Sequence, residues 1–162
     1  MGCDIHVFTE AYMNGRWIAI KVGGEFHWNG MNLRERVSKP SDVYGFFRVH
    51  DTHRDYTLFG LLAGVRSDEC TPMKLPVGLP KDISPVVREA MRDGLHTSTW
   101  YYAQELVDSW DATGGKRYRK VFLEYDKSNK VKRADPTLIQ LARNVLLMFP
   151  GENIRFLIAF DS

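Results

Sequence analysis

Cysteine is nearly missing from this chain. Cys3 and Cys70 are the only two in 162 residues, too few for a disulfide framework or a thiolate zinc site. Reduced thiols and a cytoplasmic setting are the expectation that follows. Long apolar runs are missing too: nowhere do about 18 apolar residues follow one another, so no membrane span is expected. Asp4 and His6 interrupt the start, where a secretory signal needs an apolar stretch. Met1-Gly2-Cys3 invites a lipidation reading, but His6 stands where a myristoylation signal carries Ser or Thr. Charge of one sign is likewise scarce. The formal net charge is +2, so a nucleic-acid polymer is not an expected partner. Glycine-rich phosphate cradles are absent as well, since Gly23-Gly24 and Gly114-Gly115 match neither a P-loop nor a dinucleotide fingerprint.

What is present is the composition of an ordinary globular protein. Hydrophobic residues make up 44% and charged residues 26%, enough for one domain over residues 1–162 with a real core. Gly2 to Glu10 alternates as a strand does. Successive side chains on a strand point to opposite faces, so Asp4, His6, Phe8 and Glu10 share one side, and Cys3, Ile5 and Val7 the other. Ionisable groups on so apolar a strand suggest that one face looks into a site.

Asn14-Gly15 supplies the turn of a tight hairpin, returning as a second strand over Arg16 to Val22. Gly23 to Arg36 reads as irregular, and Val43 to Val49 as a short strand. Between Tyr56 and Arg66, Leu58, Phe59, Leu61, Leu62 and Val65 recur at helical spacing. Prolines 72, 76, 80 and 85 impose a constrained loop. Ser84 caps a short helix that has Pro85 at its first position and ends near Gly94. Tyr101 to Trp110 reads as a helix stopped by Gly114-Gly115. Arg117 to Tyr125 fits strand or helix, with a hairpin slightly favoured by Asp126 to Asn129. Asp135-Pro136 opens a helix to about Phe149, with Asp135 as its cap. Ile154 to Phe160 is apolar enough for a central strand. The expected fold is a single α+β domain: a mainly antiparallel sheet, its first and last strands central or adjacent, packed by about three to four helices.

Several constellations could carry chemistry. Asp4, His6 and His96, with Asp161 and Glu10, offer imidazoles and carboxylates. Asp4, His6 and Asp161 suit a divalent metal that activates water; without one, His6, His96 and Asp4 could divide acid and base roles. The competing reading is that Asp4 and His6 tie a strand edge to nearby backbone. His96-Thr97-Ser98-Thr99-Trp100 suits a phosphate and a stacked base, with Ser98 and Trp100 in contact, or equally a helix cap at Ser98 or Thr99. His50-Asp51-Thr52 and His96-Thr97-Ser98 both fit the His-x-Thr/Ser form of two-histidine phosphoesterases, a short pattern that needs structural context. His50 and His53 also have metal-like spacing, although a capped helix start accounts for that run. Arg54 and Arg66, with Tyr56, are further ligand contacts. Lys116, Arg117, Arg119, Lys120, Lys127, Lys130, Lys132 and Arg133 are interleaved with acids and read as a solvated face.

The opening Met-Gly-Cys-Asp-Ile-His resembles that of an uncharacterised family of tailed phages, prophages and bacterial genomes. Arg54-Asp55-Tyr56-Thr57-Leu58-Phe59 is similar to the family's Arg-Asn-Tyr-x-Leu-Phe helix, and Gly78-Leu79-Pro80-Lys81-Asp82-Ile83-Ser84 to its Gly-Leu-Pro-x-Asp-Val-Ser loop. His96 to Trp100 looks like its His-Ser-x-Ser-Trp segment, and Phe160-Asp161-Ser162 like a Phe-Asp-Asn terminus. Asp55 and Ser162 stand where the family carries Asn. The resemblance implies a phage-related origin and no activity of its own.

Two functional readings follow. One is a hydrolase or lyase, a metal-dependent or histidine-based phosphoesterase, acting on a phosphorylated small molecule such as a nucleotide, with Arg54 on the phosphate. The other is a phage protein that sequesters a host signalling nucleotide or inhibits a host defence protein in the bacterial cytoplasm.

Overall fold

The computed structural model describes residues 2–20, 55–66, 71–91, 94–125, 134–147 and 149–161. Arg54, His50, His53, Cys70, the strand expected over 43–49 and the irregular stretch over 23–36 lie outside them. β1 (Ile5–Met13) turns at Asn14 and Gly15, both at positive φ, into β2 (Arg16–Ala19). A two-residue turn of that hand matches strand twist, and it sets the register Met13 to Arg16 and Glu10 to Ala19. β3 (His96–Tyr102) and β4 (Ile154–Phe160) complete an antiparallel sheet ordered β2-β1-β4-β3. The first and last strands are therefore neighbours at its centre, aligned from Ile5 opposite Phe160 to Ala11 opposite Ile154.

Both faces of the sheet are covered. On one, Ile5, Val7, Ala11, Tyr101, Phe156, Ile158 and Phe160 pack against helices. These are α1 (Tyr56–Ala63), α3 (Ala103–Ser109), α4 (Gly115–Tyr125) and α5 (Thr137–Val145). On the other, Phe8, Ala19, Leu157 and Ala159 meet Ile83, Val87, Ala90 and Met91, from the proline-rich loop and α2 (Pro85–Ala90). This explains why β4 is apolar at nearly every position: a strand covered on two sides cannot alternate.

α1 stops because Gly64 takes the left-handed conformation, φ 71°, and its N–H closes onto the Gly60 carbonyl. Among the described residues a Cβ there would meet Pro72 alone, at 3.6 Å, so the cost of a side chain there is backbone strain. Gly64→Ala is expected to lose about 1–2 kcal/mol in urea denaturation. An unchanged midpoint would mean the helix can end elsewhere.

Three expectations need correction. His96 to Tyr102 is a strand, not a helix cap: its β-branched and aromatic residues suit a pleated surface, and the helix begins at Ala103, with Glu105 accepting from the Tyr102 N–H at 3.3 Å. Gly114-Gly115 does not stop the helix. α3 continues through a π turn (Trp110–Gly114) into α4, so 117–125 is helix and not hairpin. The glycines serve close packing instead: a Cβ on Gly114 would lie 2.3 Å from Met73 Sδ, and one on Gly115 2.8 Å from Trp110 Nε1. Asp135 does not cap α5 either. Pro136 occupies that position, and the Asp135 carboxylate accepts from Trp110 Nε1 at 3.0 Å and from Arg143 at 3.1 Å. Among the described residues no helix is long and apolar enough to cross a membrane.

Candidate functional site

The β1–β4 ladder continues one step past β4. Asp161 N–H donates to the Asp4 carbonyl at 3.1 Å, and Asp4 N–H donates to Asp161 Oδ1 at 2.9 Å. Asp161 therefore stands on the face it shares with Asp4, Ala159 and His6. From there its second oxygen, Oδ2, reaches His6 Nε2 diagonally at 2.8 Å. The two side chains are 30% and 39% exposed, dry enough to fix geometry and open enough to meet a ligand.

Cys3 lies behind them on the opposite face, fully buried. Its N–H donates to the Tyr56 hydroxyl at 3.3 Å. Burial pushes its thiol up, the nearby Arg66 guanidinium opposes this, and the charges of Asp161 and Asp4 raise it further. Tyr56 and Arg66, brought by α1 and its left-handed exit, thus meet Cys3 at the end of the sheet where Asp4, His6 and Asp161 stand on the other face. Tyr118 adds support there by donating to Asp55 at 2.6 Å, while Asp55 caps α1 at Leu58 N–H, 3.0 Å.

His96 does not join them. It aligns with Phe160, where His6 aligns with Ala159, and consecutive residues of a strand point to opposite faces. Its ring lies 6.4 Å from that of Phe160, and its Nδ1 is 2.8 Å from Thr97 Oγ1. Ser98 uses its carbonyl to hold Gly78 N–H at 2.9 Å. Trp100 lies further along, in contact with Tyr102 at 4.9 Å between ring centroids. Arg117 donates to the Thr71 carbonyl and Arg119 lies 3.8 Å from Asp135, so part of the basic helix is engaged within the fold. Among the described residues no group of three or more His, Cys, Asp or Glu side chains is placed to hold a metal ion.

Sequence reasoning missed Arg155. It is the one charged residue in β4, 2% exposed beside a fully buried Glu10, with Nη2 3.1 Å from Glu10 Oε2 and Nη1 2.9 Å from Asp82 Oδ1. The signal was a lone charge in an otherwise apolar strand, set opposite Glu10 once the terminal strands pair. The Arg155 guanidinium hydrogen-bonds Asp82 and holds its carboxyl below the usual range. Glu10 goes the other way: burial pushes it up from 4.5, opposed by Arg155 and the Ser84 N–H.

A carboxyl raised in the fold binds its proton more tightly folded than unfolded. Its contribution to stability is thus complete below the unfolded value and lost as pH rises through the folded one. Wild type should therefore gain in melting temperature relative to Glu10→Gln as pH falls from about 7 to about 5. A constant gap in thermal melts across that window would contradict the assignment.

No family model, no curated protein and no solved structure matches this chain.

Proposed function

We propose that this is a phage-related hydrolase or lyase acting on a phosphorylated small molecule such as a nucleotide, working in the cytoplasm of a bacterial host. The observation that carries the reading is the His6–Asp161 pair at 2.8 Å. A carboxylate accepting from one ring nitrogen fixes the tautomer and orientation of the imidazole and leaves the other nitrogen basic. With Nε2 bonded to Asp161, Nδ1 of His6 is the atom that takes or gives the proton. The Arg66 guanidinium, beside Cys3, supplies positive charge for a phosphate oxygen. The phage-related part of the reading rests on the sequence resemblance alone.

The test is incubation of purified protein with a pool of linear and cyclic nucleotides, with and without a chelator, followed by denaturation and mass spectrometry. Conversion of one nucleotide is the expected result, and chelator sensitivity would add a metal to the mechanism. A nucleotide released intact would replace turnover with sequestration. A pool left free and unaltered would end the nucleotide reading and turn attention to a host protein.

A further inference from the structure

At the end of the sheet away from His6, the face that holds Glu10 and Arg155 surfaces as a group of aromatic rings. Tyr12 on β1 stands opposite Trp17 on β2, with ring centroids 5.3 Å apart. Trp17 lies 6.2 Å from Tyr102 of β3, which meets Trp100 edge-on at 4.9 Å. Between them β4 inserts Arg155, whose guanidinium carbon is 4.0 Å from the Trp17 ring centroid. Tyr12 is 43% exposed, while Trp17, Trp100 and Tyr102 are half-buried.

Cross-strand aromatic pairs stabilise sheets, and that alone would account for buried rings. It does not account for a tyrosine at the end of the row left open to water, next to an indole fixed in place. Arg155 covers one face of Trp17, and Asp82 pins that guanidinium in place at 2.9 Å. A ring immobilised in this way is already arranged to receive a second planar ring, with little ordering left to be done on binding.

Two basic side chains stand near Asp82 at the edge of this surface. Lys81 and Arg88 are exposed beside Asp82, joined by an Arg88 Nη2 hydrogen bond to the Lys81 carbonyl at 3.0 Å. Asp82 itself is engaged by Arg155 at 2.9 Å. Among the described residues neither Lys81 nor Arg88 enters an ion pair.

We propose that Tyr12, Trp17 and Tyr102 form a stacking surface for a nucleobase, with Lys81 and Arg88 meeting the phosphate it carries. A cation beneath an indole draws electron density from the outer face, which suits a base better than the C–H face of a sugar. A few stacked bases with one or two phosphate contacts also fit a chain of net charge +2, where an extended duplex footprint would not. The site is independent of the His6–Asp161 reading. Tyr12 is six positions from His6 along β1, roughly 20 Å at about 3.3 Å per residue, so one mononucleotide cannot occupy both.

Anisotropy of a short labelled single-stranded DNA, with AMP and a neutral oligosaccharide as competitors, tests this. Tyr12 is the position to change, because Trp17→Ala also uncovers Arg155 and risks the fold. Tyr12→Ala should weaken strand binding roughly 5- to 150-fold, the weight of one stacked base, with an unchanged melting temperature. Tyr12→Phe should retain most of the affinity, and Lys81→Glu should weaken binding and its salt dependence. Competition by AMP would identify free nucleotides as a source of the base; its absence would assign the site to strands. Failure of both AMP and the strand to bind, affinity unmoved by Tyr12→Ala and Lys81→Glu, or displacement by the oligosaccharide instead would overturn the proposal.

Discussion

Arg155→Met is expected to lower the free energy of unfolding by about 3–5 kcal/mol at neutral pH. The guanidinium is 2% exposed and the Glu10 side chain beside it fully buried. Removing one member of a buried pair leaves the other charged in an apolar layer. Glu10 would keep only the Ser84 N–H, at 3.3 and 3.4 Å from its two oxygens. Its neighbours Phe8, Ala19 and Leu157 offer nothing polar. The penalty is carried by the orphaned carboxylate, so a proton relieves it. The deficit should therefore shrink as pH is lowered from about 7 to about 5, and Glu10→Gln added to Arg155→Met should recover a large part of it. Urea denaturation of the single and double variants at both pH values checks each point. A loss below about 1 kcal/mol for the single variant would mean that water reaches the pair.

The second large effect follows from the proposed hydrolase or lyase activity and concerns its turnover. Asp161→Asn should lower kcat about 10²- to 10⁴-fold with little change in KM, because the amide no longer fixes the His6 tautomer while binding contacts stay in place. His6→Gln should cost a similar factor. The two changes together should cost little more than either alone, since both remove the same device. His96→Ala should leave kcat unchanged, because the ladder places that ring on the Phe160 face. Asp161 also accepts the Asp4 N–H, so melting temperatures must be recorded beside the kinetics. A loss of activity that followed the loss of fold would mark Asp161 as structural. Activity retained in His6→Gln would remove the imidazole from the mechanism altogether.

The alternation of β1 was readable because a strand has a strict period of two. From it came the shared face of Asp4, His6 and Glu10, and the apolar run at 154–160 pointed to a central partner. The pairing of those two strands then brings Asp161 to His6. The rest was hidden for identifiable reasons. His96 to Tyr102 mixes hydroxyls and aromatics in a way that fits a cap as well as a strand, and the ladder slips between His96 and Thr99, with Thr97 at positive φ. No local pattern shows on which face a residue before such an irregularity will fall. The glycines at 114 and 115 misled because glycine commonly ends helices, whereas here the missing side chains admit Met73 and Trp110. Asp135 next to Pro136 carries every mark of a cap, yet its carboxylate is taken by Trp110 and Arg143. A competition between local and distant partners is decided by the tertiary fold, which the sequence does not display position by position.

His6 and Asp161 are 155 positions apart in the chain. During synthesis, β1 emerges from the ribosome long before the strand it must pair with has been made. Until then, a β1 with one apolar face has only β2 beside it in the sheet, exposed to wrong pairings. Closing so long a loop is also slow, because its entropy must be lost before the contacts that repay it exist. A chain interrupted anywhere between residues 6 and 161 would have the imidazole and lack its carboxylate, so the pair comes into being only with the finished sheet.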